Sequence, residues 1–235
     1  MKWFTNMRVA TKLISAFIIV AIIGGAMGVF GIVNMNSVDE DYQNLYTNYG
    51  VSLGDLGSAG IDFNAMRVKL MQMVMLMDEQ KTAELENEIR ALDENVDAYL
   101  AAFGGTIQYD NARQAYETLL DTLEQYKVVR DQVVELVKAG RQEEATSLIM
   151  SETTKYANET NRQVQELFEM RKANGNANQK KLIEQTDSTA VLMVVIVIVM
   201  TILSMILGII IARTISKPVN KLVAAANRIA DGDLN

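Results

Sequence analysis

The sequence of 235 residues predicts an all-α protein: a membrane-anchored antiparallel four-helix bundle, flanked by two transmembrane helices and followed by one more amphipathic helix. Three observations lead to this prediction. Two apolar runs are long enough to cross a bilayer, the segment between them contains no proline, and apolar residues recur in that segment every three or four positions. Such spacing places apolar side chains along one face of a helix.

The two apolar runs, residues 13–33 and 189–212, contain no charged side chain. At a rise of ~1.5 Å per residue, each is longer than the ~30 Å hydrocarbon core of a membrane. A buried helix of a globular protein is the alternative for either run. A cleaved signal peptide is a second alternative for the first run, but that run exceeds the ~7–15 residues of a typical signal-peptide core. We therefore predict two transmembrane helices, the first of them an uncleaved anchor.

Basic residues near the spans predict the orientation of the chain, because the cytoplasmic flanks of membrane helices are rich in Lys and Arg. Residues 1–12 contain three basic residues and no acidic one, and residues 213–235 contain four basic residues. Lys180 and Lys181, near the outer end of the second span, weaken this contrast without reversing it. We expect both termini in the cytoplasm and residues 34–188 outside it.

The outer segment is strongly acidic, with 27 Asp and Glu residues against 15 Lys and Arg residues. Such a surface argues against nucleic acid as a partner, since phosphate binding requires basic residues. The chain has no Cys and no His, so it forms no disulfide and lacks the two softest metal ligands. Because no nucleophile–base pair or Gly-rich phosphate loop is visible either, we predict no enzyme activity, no metal site and no cofactor.

Four runs of apolar residues in the outer segment have a mean spacing near 3.5 residues, which predicts helices that pack at a shallow left-handed angle. The fourth run is the least regular. The predicted core positions are, helix by helix, Leu56, Ala59, Phe63, Met66, Leu70, Met73 and Met77; Leu85, Ile89, Leu92, Val96, Tyr99 or Leu100, and Phe103; Tyr116, Leu119, Leu123, Tyr126, Val129 or Val133, and Leu136; Ala145, Leu148, Ile149, Tyr156, Thr160, Val164, Leu167 and Met170.

Loop signals separate the four runs. Residues 78–80 interrupt the first pattern, Gly104 and Gly105 end the second helix, Asp110 is the predicted N-cap of the third helix, and Gly140 is its predicted C-cap. Four helices with short connections form an up-down-up-down bundle that returns the chain to the membrane. One long coiled coil is the alternative, which the Gly-Gly break and the loops disfavour.

Arg67 is the candidate ligand-binding residue of the first bundle helix. It follows the core position Met66 and should lie at the edge of the buried face, where a guanidinium is able to hold a carboxylate with two hydrogen bonds. An ion pair with a neighbouring helix is the alternative role. The fourth helix offers polar or amphipathic residues to complete such a site: Tyr156, Asn158, Thr160 and Arg162.

Gly24 and Gly28 form a GxxxG pair in the first span. This spacing lets two helix backbones approach closely and predicts a dimer contact in the membrane. The alternative is the ordinary abundance of glycine in membrane helices.

The segment after the second span predicts a short amphipathic helix. Ser216 is a suitable N-cap, and Pro218 sits in the first turn, where its missing N–H does no harm. Leu222 and Ile229 continue an apolar stripe along the helix, and Gly232 ends the helix. This segment resembles the first helix of a HAMP domain. The resemblance is carried by Pro218, Leu222, Ile229, Gly232, Asp233 and Leu234.

The rest of the chain resembles the four-helix-bundle ligand-binding domain of bacterial methyl-accepting chemotaxis proteins. The opening residues Met1–Phe4, then Lys12, Leu13 and Phe17, and the turn at residues 139–145 carry this likeness. The resemblance implies a homodimeric receptor in the bacterial cell (inner) membrane. It also implies that residues 213–235 begin a HAMP domain.

In such a receptor, a small molecule or a ligand-binding protein binds between the outer helices. Binding shifts the fourth helix and the second span, biases two packings of the HAMP helices, and signals to a chemotaxis kinase and adaptor. The sensor half of a histidine kinase or diguanylate cyclase is the alternative, since these proteins share the same front end. A membrane-anchored interaction protein that transmits no signal is the third interpretation.

Overall fold

The computed structural model describes residues 9–230, without the side chains of residues 9, 217, 221 and 228–230. Within this range the chain is helical, with short loops and no strand. The helices are α1 (Val9–Leu45), α2 (Ser52–Leu76), α3 (Glu79–Gly105), α4 (Asp110–Lys138), α5 (Gln142–Leu148) and α6 (Thr154–Ala230). A first π turn (Tyr46–Val51) joins α1 to α2, and a second π turn (Ile149–Thr153) joins α5 to α6. The predicted all-α class is confirmed.

The chain divides into two compact units. One unit, Asp41–Lys181, is the helical bundle, and the other combines the described residues up to Glu40 with those from Leu182 onward. The first bundle helix consists of the end of α1, the first π turn and α2. Helices α3 and α4 are the second and third, and the fourth consists of α5, the second π turn and the start of α6. The domain boundaries at residues 34 and 188 stay a prediction.

The bundle core contains the apolar positions that the spacing predicts. Along α2, the residues Leu56, Ala59, Phe63, Met66, Leu70 and Met73 are at most 2% exposed. In the third helix, Val133 rather than Val129 is buried. Phe63 and Tyr126 meet edge to face at the centre, with ring centroids 4.8 Å apart. Burial of these side chains supplies most of the free energy that holds the four helices together.

The fourth helix deviates from its predicted pattern. Its buried residues follow one another at intervals of three or four and include four polar side chains: Ala145, Ile149, Thr153, Ala157, Thr160, Gln163, Leu167 and Arg171. Tyr156 and Val164 are only partly buried at the edge of the core. The second π turn inserts one residue and rotates the helix, so that polar residues enter the core.

Caps define the loops of the bundle. The Asp78 side chain accepts a hydrogen bond of 2.8 Å from the Lys81 N–H and so caps α3. The predicted N-cap of α4 is wrong by one residue: Tyr109 occupies that position and Asp110 lies in the first turn, where its charge favours the helix dipole. Gly140 follows the end of α4 and has a φ of +71. The N–H of the next residue, Arg141, donates a 2.9 Å hydrogen bond to the Leu136 carbonyl. This is the Schellman geometry that favours glycine.

The two described helices α1 and α6 contain segments that are long and apolar enough to cross a membrane. Their most apolar windows have mean hydropathies of 2.6 and 3.2, and only 6% and 0% of those windows are buried. A core helix would bury its apolar side chains, so the buried-helix alternative does not fit. Two such helices together with a bundle fit a membrane receptor. A side chain at Gly24 or Gly28 would meet no atom of another described segment within 4 Å, so neither glycine makes a close contact within the described part of this chain.

The predicted helix start at Ser216 is not observed, because α6 continues without a break to Ala230 with Pro218 inside it. Proline fits a helical φ, and here it removes one backbone hydrogen bond on an exposed surface. Leu222 is 70% exposed. The Ile229 side chain and the residues Gly232, Asp233 and Leu234 lie outside the described part of the chain.

Candidate ligand-binding site

A cavity of about 240 Å³ opens between α2, α4 and the second π turn. Its wall combines one cation, four apolar side chains and three hydroxyl-bearing side chains, among them Arg67, Val68, Met71, Tyr126, Thr153 and Thr154. Arg67 therefore lies where the sequence places it, at the edge of the buried face. A cavity of this size and mixed lining suits a small polar ligand.

Arg67 makes no ion pair with any carboxylate that the structure describes. Its Nη1 donates a 2.9 Å hydrogen bond to Asn64 Oδ1. Asn64 in turn donates to the Gly60 carbonyl and exchanges hydrogen bonds with Asn161 on the fourth helix. The guanidinium is thus held in place by neutral groups, and its charge remains available to an anion.

Two residues that line the cavity carry a buried hydroxyl group without a hydrogen-bond partner among the described residues: Tyr126 Oη and Thr153 Oγ1. Tyr126 is fully buried and Thr153 is 4% exposed. A buried polar atom without a partner costs about 1–3 kcal/mol, so such atoms in a cavity wall indicate a place for a polar ligand or water. Burial raises the pKa of Tyr126 to about 12, against smaller opposing effects of Arg130 and Arg67. The phenol therefore stays protonated and able to donate near neutral pH.

The second π turn positions Thr153. The Thr154 hydroxyl donates a 2.6 Å hydrogen bond to the Ile149 carbonyl, five residues back. The additional residue turns Thr153 inward, and π turns of this kind are frequent at functional sites. A regular helix through residues 149–153 would direct a different set of side chains to Arg67.

The other predicted site residues take different places. Thr160 is 2% exposed, and its Oγ1 has no hydrogen-bond partner among the described residues. Tyr156 is partly buried. Neither residue lines the cavity beside Arg67. Asn158 is exposed. Arg162 is exposed and pairs with Glu159 at 2.6 Å and Glu166 at 3.0 Å. These pairs raise the pKa of Arg162, and they direct its charge toward its own helix.

Sequence reasoning missed Tyr126 and Thr153 as site residues. Tyr126 has the spacing of a core residue, which it also is, and its hydroxyl attracts attention only once the cavity is known. Thr153 lies outside the apolar pattern because the sequence gives no sign of the π turn. The nearest signal is the irregular spacing of the fourth run.

Comparison with known proteins places this geometry in a family. The chain matches the family model for a four-helix-bundle sensory module for signal transduction over residues 6–186, and the model for a HAMP domain over residues 210–235. It is also 32% identical, over 172 residues, to a protein of Acetivibrio thermocellus described as a sensory transducer. That alignment covers 72% of this chain and 30% of the relative, so the chain spans less than a third of that protein's length.

The chain therefore belongs to the family of four-helix-bundle sensory modules for signal transduction. Together with the HAMP match and the relative, this supports a chemoreceptor of the methyl-accepting type, as the resemblance predicts. The matched families are sensory and signalling modules rather than catalytic domains. Modules of these two kinds suggest partners in a signalling complex and dimerisation in general.

Proposed function

We propose that this protein is a transmembrane chemoreceptor. Its bundle senses a ligand outside the cytoplasm and its second span relays the signal to the HAMP domain and, beyond it, to a chemotaxis kinase and adaptor. The observation that carries the proposal is the cavity beside Arg67. There a cation that no described carboxylate neutralises lies near two hydroxyl groups that have no partner within the same residues. The similarity to a protein described as a sensory transducer favours a chemoreceptor over the sensor half of a histidine kinase or diguanylate cyclase.

The chemistry of the cavity selects a small anion. The Arg67 guanidinium provides paired N–H donors for a carboxylate, and Tyr126 Oη and Thr153 Oγ1 provide hydroxyl groups for its remaining polar atoms. The bundle is acidic overall and its field repels anions, so the Arg67 charge has to supply the attraction that an anion needs at this site. A ligand-binding protein that presents an acidic side chain to this cavity would use the same groups.

The relay follows from the elements that line the cavity. Arg67 belongs to the first bundle helix, whose chain continues from α1, and Thr153 directly precedes α6, which runs from Thr154 to Ala230. A ligand that bridges these two residues favours one relative position of the first and fourth helices. Through the spans, that preference would reach a HAMP domain with two alternative packings. We place both termini in the cytoplasm, as the basic flanks predict.

The ligand site is tested by thermal unfolding of the full chain in detergent micelles, with acetate, lactate and succinate as ligands. We expect at least one of them to raise the melting temperature, because a ligand that binds only the folded state stabilises it. Arg67→Ala should remove this shift, since loss of a charge-assisted hydrogen bond weakens binding about tenfold or more.

The matched control is Arg162→Ala, in which the lost guanidinium is exposed and already paired. Its ligand-induced shift should equal that of the unaltered chain. A shift that persists in Arg67→Ala, or no shift with any of the three carboxylates, would contradict the proposed site.

We also propose a homodimer, formed along an exposed face of α2. This face repeats at intervals of three and four and carries small or apolar side chains throughout, apart from Asn64: Gly54, Gly57, Ile61, Asn64, Val68, Met71 and Met75. Ile61, Val68 and Met75 are 70%, 56% and 72% exposed, although their neighbours on the same helix form the core. Such a seam is self-complementary when two copies pack in parallel. Gly24 and Gly28 would extend the contact into the membrane.

Disulfide cross-linking tests the seam, because the chain contains no Cys. We expect Val68→Cys to form covalent dimers on mild oxidation in membranes, since a disulfide requires Cα atoms within about 7 Å. Val128→Cys is the matched control: it is the same substitution at a site 47% exposed on α4. Equal cross-linking of the two variants would show random collision instead of a specific seam.

A further inference from the structure

A buried arginine lies at the base of the bundle, which we define as residues 42–53, 103–109 and 171–179. Arg171 on α6 is only 5% exposed. Its guanidinium carbon lies 4.8 Å from the centre of the Phe103 ring and 5.5 Å from that of Tyr49. Its Nη1 and Nη2 donate hydrogen bonds of 3.1 and 2.9 Å to the carbonyl and hydroxyl oxygens of Thr106.

No carboxylate within the described residues forms an ion pair with Arg171. Burial consequently lowers the pKa of Arg171, and the only opposing influence comes from the phenol of Tyr49. The two hydrogen bonds to Thr106 partly stabilise the buried charge of Arg171, because they place this cation at the C-terminus of α3, where the helix dipole is negative. A guanidinium has five N–H donors, so three of those on Arg171 have no hydrogen-bond partner among the described residues.

Arg171 borders a cleft of about 380 Å³ between the first and fourth bundle helices. Tyr42, Tyr46 and Tyr49 form one wall, and Arg171, Lys172 and Gly175 form the other. Tyr42 and Tyr46 are 47% and 71% exposed, which is unusual for such large rings in the absence of a contact. At Gly175 a Cβ would lie 3.3 Å from the Tyr49 ring, so glycine keeps the back of the cleft narrow.

The first π turn shapes this cleft. It spans Tyr46–Val51 and contributes Tyr46, Tyr49 and Gly50 to the lining. Two clefts of the bundle thus lie beside a π turn, and each has an arginine that lacks a carboxylate partner in the described part of the chain. Tyr49 and Arg67 are 18 residues apart on the same continuous helix, which separates the clefts by about 27 Å.

We propose that the cleft at the base of the bundle is a second ligand site, which binds an aromatic carboxylate. The carboxylate pairs with the free donors of Arg171 and with Lys172, and the aromatic ring packs against Tyr42 and Tyr46. The cleft thus offers a cation and exposed ring surface together, and a ligand that carries both a negative charge and a flat apolar body contacts both. The site bridges the first and fourth helices and is separate from the site beside Arg67.

Isothermal titration calorimetry of the full chain in detergent micelles tests this site, with benzoate as the ligand and benzamide as its neutral counterpart. We expect benzoate to bind and benzamide not to bind. Arg171→Gln, which keeps a donor for Thr106, should weaken benzoate binding about tenfold or more. Tyr46→Ala should weaken it about threefold to tenfold through the lost ring contact, and its exposed position makes it harmless to folding.

Arg162→Gln is the matched control, because this guanidinium is exposed and already paired with Glu159 and Glu166, and it should leave benzoate binding unchanged. Arg67→Gln disturbs only the site of the proposed function, so the two proposals fail separately. Loss of benzoate binding in Arg67→Gln with retention in Arg171→Gln would overturn the second site. So would equal binding of benzamide, or the absence of benzoate binding to the unaltered chain.

Discussion

Replacing Asp93 by Asn is expected to lower the free energy of unfolding of the bundle by about 3–5 kcal/mol, the usual cost of removing one partner from a buried ion pair. Asp93 on α3 serves two cations of α4. Its Oδ2 lies 3.0 Å from Arg130 Nη1, and its Oδ1 lies 3.0 Å from Lys127 Nζ, without an aligned hydrogen bond. The side chains of Arg130, Lys127 and Asp93 are only 9%, 16% and 18% exposed.

The physical reason is the position of Arg130 inside the bundle. Its Nη1 also contacts Met66 Sδ at 3.4 Å, and Met66 is fully buried. Burial by itself would lower the pKa of Arg130, but the hydrogen bond to Asp131 and the charge of Asp93 outweigh it and raise the pKa. Without the Asp93 charge, two neighbouring buried cations would retain only carboxylates that are largely exposed to water, Asp97 and Asp131.

Thermal unfolding of the full chain in detergent, followed by circular dichroism, measures this effect as a fall of roughly 10 °C in melting temperature. Asp97→Asn is the matched control. It removes a carboxylate 2.7 Å from the same Lys127 ammonium, but one that is 57% exposed, so the expected loss is ~1 kcal/mol or less. Equal losses of stability in Asp93→Asn and Asp97→Asn would show that the burial of the Asp93 charge does not matter.

Replacing Gly104 by Ala is expected to destabilise the bundle by about 1–3 kcal/mol, the usual cost of overpacking a core. An added Cβ would lie 2.6 Å from Tyr116 Oη and 2.7 Å from Tyr116 Cζ. The ring has little freedom to move away, because Tyr116 is 8% exposed and its hydroxyl donates a 2.9 Å hydrogen bond to the Leu100 carbonyl.

Gly105→Ala is the control for this prediction, since nothing lies within 4 Å of a Cβ at that position. Alanine there should leave the stability unchanged or raise it slightly, because glycine is the poorer helix former. The same thermal unfolding experiment compares the two variants. If Gly104→Ala melts at the temperature of Gly105→Ala, Tyr116 yields more easily than its hydrogen bond suggests.

Much of the fold follows from periodicity and glycine. Apolar spacing predicts the core of α2, α3 and α4, since a helix that buries one face must repeat apolar residues every three or four positions. Gly105 is the last residue of α3, and Gly140 ends α4 with a positive φ that other residues avoid. Arg67 is predictable as an edge residue because its neighbour Met66 is a core residue.

The composition of both candidate sites follows from features that the sequence does not display. A π turn depends on which hydrogen bonds the backbone forms once neighbouring helices are packed, and no residue type specifies it. The second π turn brings Thr153 into the core beside Tyr126, and the first shapes the cleft beside Arg171. An arginine such as Arg171 reads as a solvated residue when only the sequence is known.

The sequence by itself determined the helical class, the two apolar spans, the core of three bundle helices and the position of Arg67. These depend on local spacing and composition, which each segment carries within itself. Only the tertiary structure decided which polar groups are buried without partners, because partnership is a property of two or more segments in contact. Tyr126 and Thr153 are 27 residues apart in the chain, and the distance between them is set by how α4 packs against the second π turn.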